Sequence, residues 1–318
     1  MIDSLFHAYA PLLTWIGLGI LLFRFIPASF STRIGRALYW VGVPVQSFLF
    51  GRRTQLCLET RLIPLIVVEA SVLSIGLALI SWWGWEKFFR QNAQVPQLAQ
   101  LSAVERSRKA SFIIAAMLGN TGFIGMTLAE VLIDPLYVNW AVLYNVSNTI
   151  TYSLAVLIAS HFGHSGKQVP WWVPLRDVLT VPSQWAFLLG LVTQERELPL
   201  IVDSGLSATM WVIFASALLL LGLRLGSIKG WSSLELALIP AALKVLVVPA
   251  LVGLTATALG LTGEPRLVLV LMSGVPTGLA TLILAEVYDL DRELLTSSIS
   301  LTLVGLLLAL PLWLSWFS

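Results

Sequence analysis

Two stretches of this sequence share one pattern of helix-breaking and hydrogen-bonding residues. Asn120–Val131 reads NTGFIGMTLAEV, and 156 residues later Pro276–Val287 reads PTGLATLILAEV, with six identities in twelve ungapped positions. Gly119, Asn120, Thr121 and Gly122 head the first copy, and Gly274, Pro276, Thr277 and Gly278 head the second. Glycine and proline are poor residues for a helix interior, so an apolar helix broken there exposes backbone amides and carbonyls. Where the helix resumes, its amide groups form a positive end that favours an anion. The chemistry on offer is recognition of a carboxylate or other polar edge, with no bond made or broken. Gly and Pro also mark kinks and close packing in membrane helices. Two breaks at corresponding places favour a binding site over a pair of kinks.

A second group of polar residues lies inside otherwise apolar runs. An ionisable group at bilayer depth costs about 2.5–3.5 kcal/mol on insertion scales, so Glu69 and Lys244 each need a partner or a role. They follow Pro64 and Pro240 at nearly matching distances and are candidates for one site. Lys244 would be a counter-charge for the ligand or a partner of Glu69, and Glu69 would take a proton. The alternative is a structural ion pair. Asn145 and Asn148 lie one helical turn apart and face the same way, either lining the ligand path or bonding between helices. Gln46, two residues past Pro44, could close the site from the opposite side. Glu130 and Glu286 fall near helix ends and read as structural.

These residues must be positioned by helices in lipid. Of 318 residues, 57% are hydrophobic and 11% charged, with mean hydropathy +0.87, against roughly 45–50% apolar and 25% charged in a soluble domain. Spanning the hydrocarbon takes about 20 apolar residues as helix. The sequence predicts an all-α integral membrane protein of ten transmembrane helices: Tyr9–Ile26, Arg36–Phe50, Leu62–Trp83, Ala110–Val131, Tyr137–Phe162, Asp177–Val192, Ser207–Leu225, Leu234–Leu261, Arg266–Val287 and Leu294–Phe317. Each copy of the repeated motif falls in the fourth span of its half. Five is odd, so the second half crosses in the reverse sense, giving two inverted five-helix repeats, 1–160 and 177–318, joined by a cytoplasmic loop, 161–176. The fourth and ninth helices would be broken and cross at mid-membrane, an arrangement that recurs in secondary transporters.

Basic residues report orientation. Loops after odd-numbered spans hold Arg24, Arg33, Arg36, Lys87, Arg90, Arg106, Arg108, Lys109, Lys167, Arg176, Arg224, Lys229 and Arg292; the other side holds Arg52, Arg53, Arg61, Arg196 and Arg266. The excess places both termini outside the cell and the protein in the inner or plasma membrane. Tryptophans at predicted helix ends (Trp82, Trp83, Trp85, Trp171, Trp172, Trp313 and Trp316) read as interfacial anchors. Asp3 and the lack of a basic run ahead of the first span argue against a cleaved signal peptide.

Several classes are excluded. A net charge of +2 with scattered basic residues gives no nucleic-acid surface. The single Cys57 cannot form an internal disulfide. His161 and His164 make an HxxH in a loop, without the spacing of a usual metal site. No cofactor is indicated, and no nucleophile elbow, zincin motif or paired intramembrane aspartates suggest an enzyme.

With Gly119-Asn120 and Pro276-Thr277 in place, the chain resembles the auxin efflux carrier family, within the wider bile-acid, arsenite and riboflavin transporter fold. The resemblance rests on GNTGFIG at Gly119–Gly125, LLLLGLRLG at Leu218–Gly226, LKVLVVP at Leu243–Pro249, and above all VPTGLATLILAEVYDLDRELLTSSISLTLVGLLLALPLW at Val275–Trp313. It implies a scaffold from spans 1, 2, 6 and 7 and a transport domain from spans 3–5 and 8–10. Substrate would bind at the crossover, which would move elevator-fashion. A homodimer is also implied. In plant PIN-type members each crossover carries a proline followed by a polar residue; here Gly119 stands at the first of these prolines, and Thr127 replaces another downstream. The expected function is export of a small organic anion. Na⁺- or H⁺-coupled uptake is the alternative within transport, and a membrane ligand sensor the alternative outside it.

Overall fold

In a computed structural model, residues 2–54, 59–90, 99–163, 170, 172, 176, 179–180, 182–226 and 233–318 are described. Cys57, His164, Lys167, Trp171 and Lys229 lie outside them, as do most of the 161–176 loop and the start of the expected sixth span. The described residues form helices and turns with no strand. The helices are α1 (Ile2–Leu22), α2 (Ala28–Ala37), α3 (Val43–Arg53), α4 (Ile63–Arg90), α5 (Ala99–Met117), α6 (Met126–Leu132), α7 (Val138–Ser147) and α8 (Thr149–Phe162). They continue with α9 (Pro182–Val192), α10 (Leu200–Gly226), α11 (Leu234–Ala242), α12 (Val248–Ala258), α13 (Glu264–Ser273), α14 (Ala280–Tyr288) and α15 (Arg292–Phe317). Among the described residues five helical stretches are long and apolar enough to cross a membrane: Thr60–Phe88, Val138–Phe162, Leu200–Gly226, Leu234–Ala258 and Arg292–Phe317.

Prolines shape two of the helices. Leu38–Gly42 and Leu243–Val247 are π-turns, each ending just before a proline at the start of the next segment, Pro44 or Pro249. A proline ring clashes with the carbonyl four residues back and offers no N–H, and a locally widened turn relieves both problems. α2 and α3 therefore run on as one helix longer than the expected Arg36–Phe50 span. α11 and α12 likewise join through the turn that carries Lys244.

Helix packing follows a paired scheme. α1 packs on α10 and α3 on α9. In both contacts backbones meet at glycines: a Cβ on Gly19 would strike the Leu219 carbonyl and Gly222, and one on Gly51 would strike the Phe187 carbonyl and Gly190. Small residues let helices approach this closely where lipid supplies no hydrophobic drive. Elsewhere α4 packs on α5, and α12 on α13; α5 lies against α15, and α13 against α7.

Two of the expected interfacial anchors face inward instead. Trp82 is buried edge-on against Phe112, with ring centroids 5.4 Å apart. Trp313 is buried against the bare backbone of Gly274. Their large rings fill space between helices, whereas Trp83, Trp172 and Trp316 remain exposed.

Candidate functional site at the helix crossover

The helix begun by α5 stops at Met117, and the chain resumes helical geometry at Thr121 in a short π-turn, Thr121–Gly125, that leads into α6. α13 stops at Ser273, and α14 begins at Ala280. The two gaps meet. Asn120 N–H donates to the Pro276 carbonyl at 2.8 Å, and Gly278 N–H donates to the Leu118 carbonyl at 2.9 Å, forming an antiparallel bridge between Gly119 and Thr277. This pairing answers the main problem of a broken helix in lipid, where each unsatisfied backbone group costs several kcal/mol. Pro276 lacks an N–H, but its carbonyl accepts the bond that joins the two crossovers.

Side chains complete the first crossover. The Asn120 Oδ1 accepts from the Phe123 amide at 3.3 Å, capping the resumed helix. The Thr121 hydroxyl donates to Asn145 Oδ1 at 2.7 Å and accepts from Asn148 Nδ2 at 3.2 Å. Asn145 and Asn148 lie on α7 and at its junction with α8. This relay fixes the orientation of both amides. The acceptor oxygens of Asn120 and Asn145 are occupied, and their Nδ2 groups have no acceptor among the described residues. From the opposite side, buried Gln46 on α3 donates through Nε2 to the Gly122 carbonyl at 2.7 Å. The structure thus gathers Gly119, Asn120, Thr121, Asn145, Asn148 and Gln46 around one point.

The second crossover is built differently. Thr277 is buried; its hydroxyl donates to the Ala115 carbonyl at 2.8 Å, and its amide donates to Thr302 Oγ1 at 3.0 Å. Thr277, expected to meet ligand, stitches the break onto α5 and α15. The sequence reading missed Thr302. Its signal was present in the SSISLT run of the last span, which places Ser298 and Thr302 one turn apart on an apolar helix.

Glu69 and Lys244 do not form the expected pair. Glu69 accepts a hydrogen bond from the Thr255 hydroxyl at 2.6 Å. Lys244 is buried, and its Nζ donates to the Ser273 carbonyl at 2.9 Å and to the Met117 carbonyl at 3.3 Å. The proline-induced π-turn gives this side chain its direction, and the acceptors are the last residues of α13 and α5. Equal spacing from a proline therefore did not place the two charges together. Among the described residues no cluster of His, Cys, Asp or Glu could hold a metal ion.

Interrupted apolar helices whose ends meet inside a helical body recur in secondary transporters. Residues 173–314 match the family described as "Membrane transport protein". An uncharacterized transporter of Methanothermobacter thermautotrophicus is 25% identical over 221 residues, covering 68% of this chain and 70% of its own length. An uncharacterized transporter of Methanocaldococcus jannaschii is 26% identical over 212 residues, covering 63% of this chain and 66% of its own, just short of two thirds. The family match falls in the second half of the chain, and together with the two transporters it supports the resemblance to auxin efflux carrier-like membrane transport proteins that the motifs carry.

Proposed function

We propose that this protein is a secondary carrier that exports a small organic anion, bound at the crossover of its two broken helices. The observation that carries this reading is the hydrogen-bond polarity of the first crossover. Asn120 and Asn145 both have their oxygens occupied, and their NH₂ groups have no acceptor among the described residues. Two such donors beside the amino-terminal end of a resumed helix suit a carboxylate or another acceptor-rich group.

The proposed architecture has ten membrane helices in two inverted repeats. Exchanging the halves turns the α1–α10 contact into α9–α3, the α4–α5 contact into α12–α13, and the α5–α15 contact into α13–α7, and all of these pairs pack. The loop ends are grouped consistently with ten crossings. Arg108 pairs with Asp291 at 3.2 Å, while Arg52 reaches the carbonyls of Thr193 and Arg196, and Arg266 reaches the chain end at Phe317. The basic-residue bias then puts both termini outside. α1, α2–α3, α9 and α10 form the proposed scaffold, and the remaining helices move against it as an elevator, carrying the ligand. The resemblance extends the proposal to a homodimer.

The test is flux of labelled anions, including dicarboxylates, bicarbonate and indole acetate, in proteoliposomes under Na⁺ and pH gradients. Saturable flux of one compound, lost in Asn120→Ala, is the expected result. Flux that persists in Asn120→Ala moves the site away from the crossover. Saturable binding with no flux under any gradient replaces the carrier with a sensor.

A further inference from the structure

Lys244 brings an amine into the centre of the helical body, and among the described residues no carboxylate meets it. Its partners are two backbone carbonyls, those of Met117 and Ser273. These are the carboxyl-terminal residues of α5 and α13, the first halves of the two broken helices. A helix carboxyl end carries roughly half a negative charge, so two ends meeting at one point supply about the charge that one ammonium neutralises. The neighbouring backbone is built around the side chain. A Cβ on Gly119 would lie 2.9 Å from Lys244 Nζ, 3.0 Å from its Cε and 2.8 Å from Val275 Cγ2. A residue with any side chain at 119 would have to displace one of them, so the glycine at the first crossover and the lysine form one device.

Carriers with broken helices characteristically bind a coupling cation at unwound carbonyls and half-helix carboxyl ends. In this chain that position is filled by a cation on a covalent tether. We propose that Lys244 is a resident substitute for a coupling metal ion: it takes the place that Na⁺ would occupy at the crossover and travels with it. It also cancels the negative ends of α5 and α13, which would otherwise repel an anion held by the Asn120 and Asn145 amides. The carrier then needs no Na⁺ at this site in either direction of its cycle. The inference rests on the carrier reading for its consequence but not for its structural test.

Two measurements address it. The first compares wild-type protein in NaCl and in choline chloride at equal ionic strength, by Tm in detergent and by flux in proteoliposomes. Both readouts are expected to be unchanged by the exchange; Na⁺-dependent stabilisation or flux in wild type overturns the proposal. The second uses Lys244→Ala and Lys244→Met. Both variants should lower Tm. Only Lys244→Ala, which leaves space at the carbonyls, should recover Tm saturably with Na⁺ or ethylammonium, and its flux, reduced by roughly tenfold or more, should recover in parallel. Wild-type Tm in Lys244→Met, or no response of Lys244→Ala to either cation, overturns the assignment. So does a pH-gradient-driven flux whose pH dependence disappears in Lys244→Ala, because Lys244 would then be a proton carrier. If no anion is transported at all, the carrier reading fails while the thermal measurements still decide the role of Lys244.

Discussion

Asn120 commits its side-chain oxygen to the Phe123 amide, so its remaining NH₂ group can only donate. Replacing that amide by a carboxylate reverses the polarity at the same size. Asn120→Asp is expected to raise the KM for an anionic substrate by tenfold or more, about 1.4 kcal/mol, while binding measured by calorimetry weakens in parallel. Thr121 acts one step back. Thr121→Val removes both bonds of the Asn148–Thr121–Asn145 relay and frees the Asn145 amide to turn over. Affinity should fall roughly tenfold, as expected for the loss of an orienting hydrogen bond worth ~1 kcal/mol or slightly more, and Thr121→Ser should restore it. Equal affinity in Thr121→Val would remove Asn145 from the site. These residues were legible in the sequence because polar types stand out in an apolar background. Their hydrogen-bond polarity was not legible, since it depends on which neighbour takes each oxygen.

Between elements, the two interruptions hold each other and are tied to the flanking helices. Thr302 on α15 accepts from the Thr277 amide and itself donates to the Ser298 carbonyl. Thr302→Val keeps the shape and strands a buried N–H, a loss of about 1–3 kcal/mol that should appear as a lower Tm; Thr302→Ser should behave as wild type. If both variants match wild type, the second crossover does not depend on this bond. Gly119→Ala tests the close approach on the other strand of the bridge. Its Cβ would crowd Lys244 and Val275, and overpacking of this kind costs typically about 1–3 kcal/mol. Val275→Ala in the same chain should recover part of the loss of thermal stability. The positions of the breaks followed from Gly and Pro content. That the strands between them pair backbone to backbone did not, because such a bond depends on two segments about 156 residues apart in sequence.

For the whole molecule, the decisive contact is the one between the proposed scaffold and the proposed moving part. Gln46 Nε2 reaches the Gly122 carbonyl, and α10 and α1 flank the same crossover. An elevator must break the Gln46 bond in each cycle. A reducible thiol cross-linker joining Gln46→Cys to Gly122→Cys, in a Cys57→Ser background, is expected to stop flux and release it on reduction. Full flux in the cross-linked protein would mean that these parts do not move past each other. The glycine contacts Gly19–Gly222 and Gly51–Gly190 lie instead within the proposed scaffold, where close backbone packing would suit a part that stays rigid.

The sequence alone determined that the chain is helical and lives in lipid, because 57% apolar composition and long uncharged runs leave the backbone no other way to satisfy itself. It also determined where two helices break, because glycine and proline act on their own local geometry. Only the tertiary structure decided the fate of the charges. Glu69 and Lys244 stand at matching distances from prolines yet have different partners, Thr255 for one and the Met117 and Ser273 carbonyls for the other. Trp82 and Trp313 sit near predicted helix ends yet fill the interior. Periodicity specifies the face and depth of a side chain along its own helix; which helix lies opposite is fixed by packing, and the partner of a buried charge is chosen there.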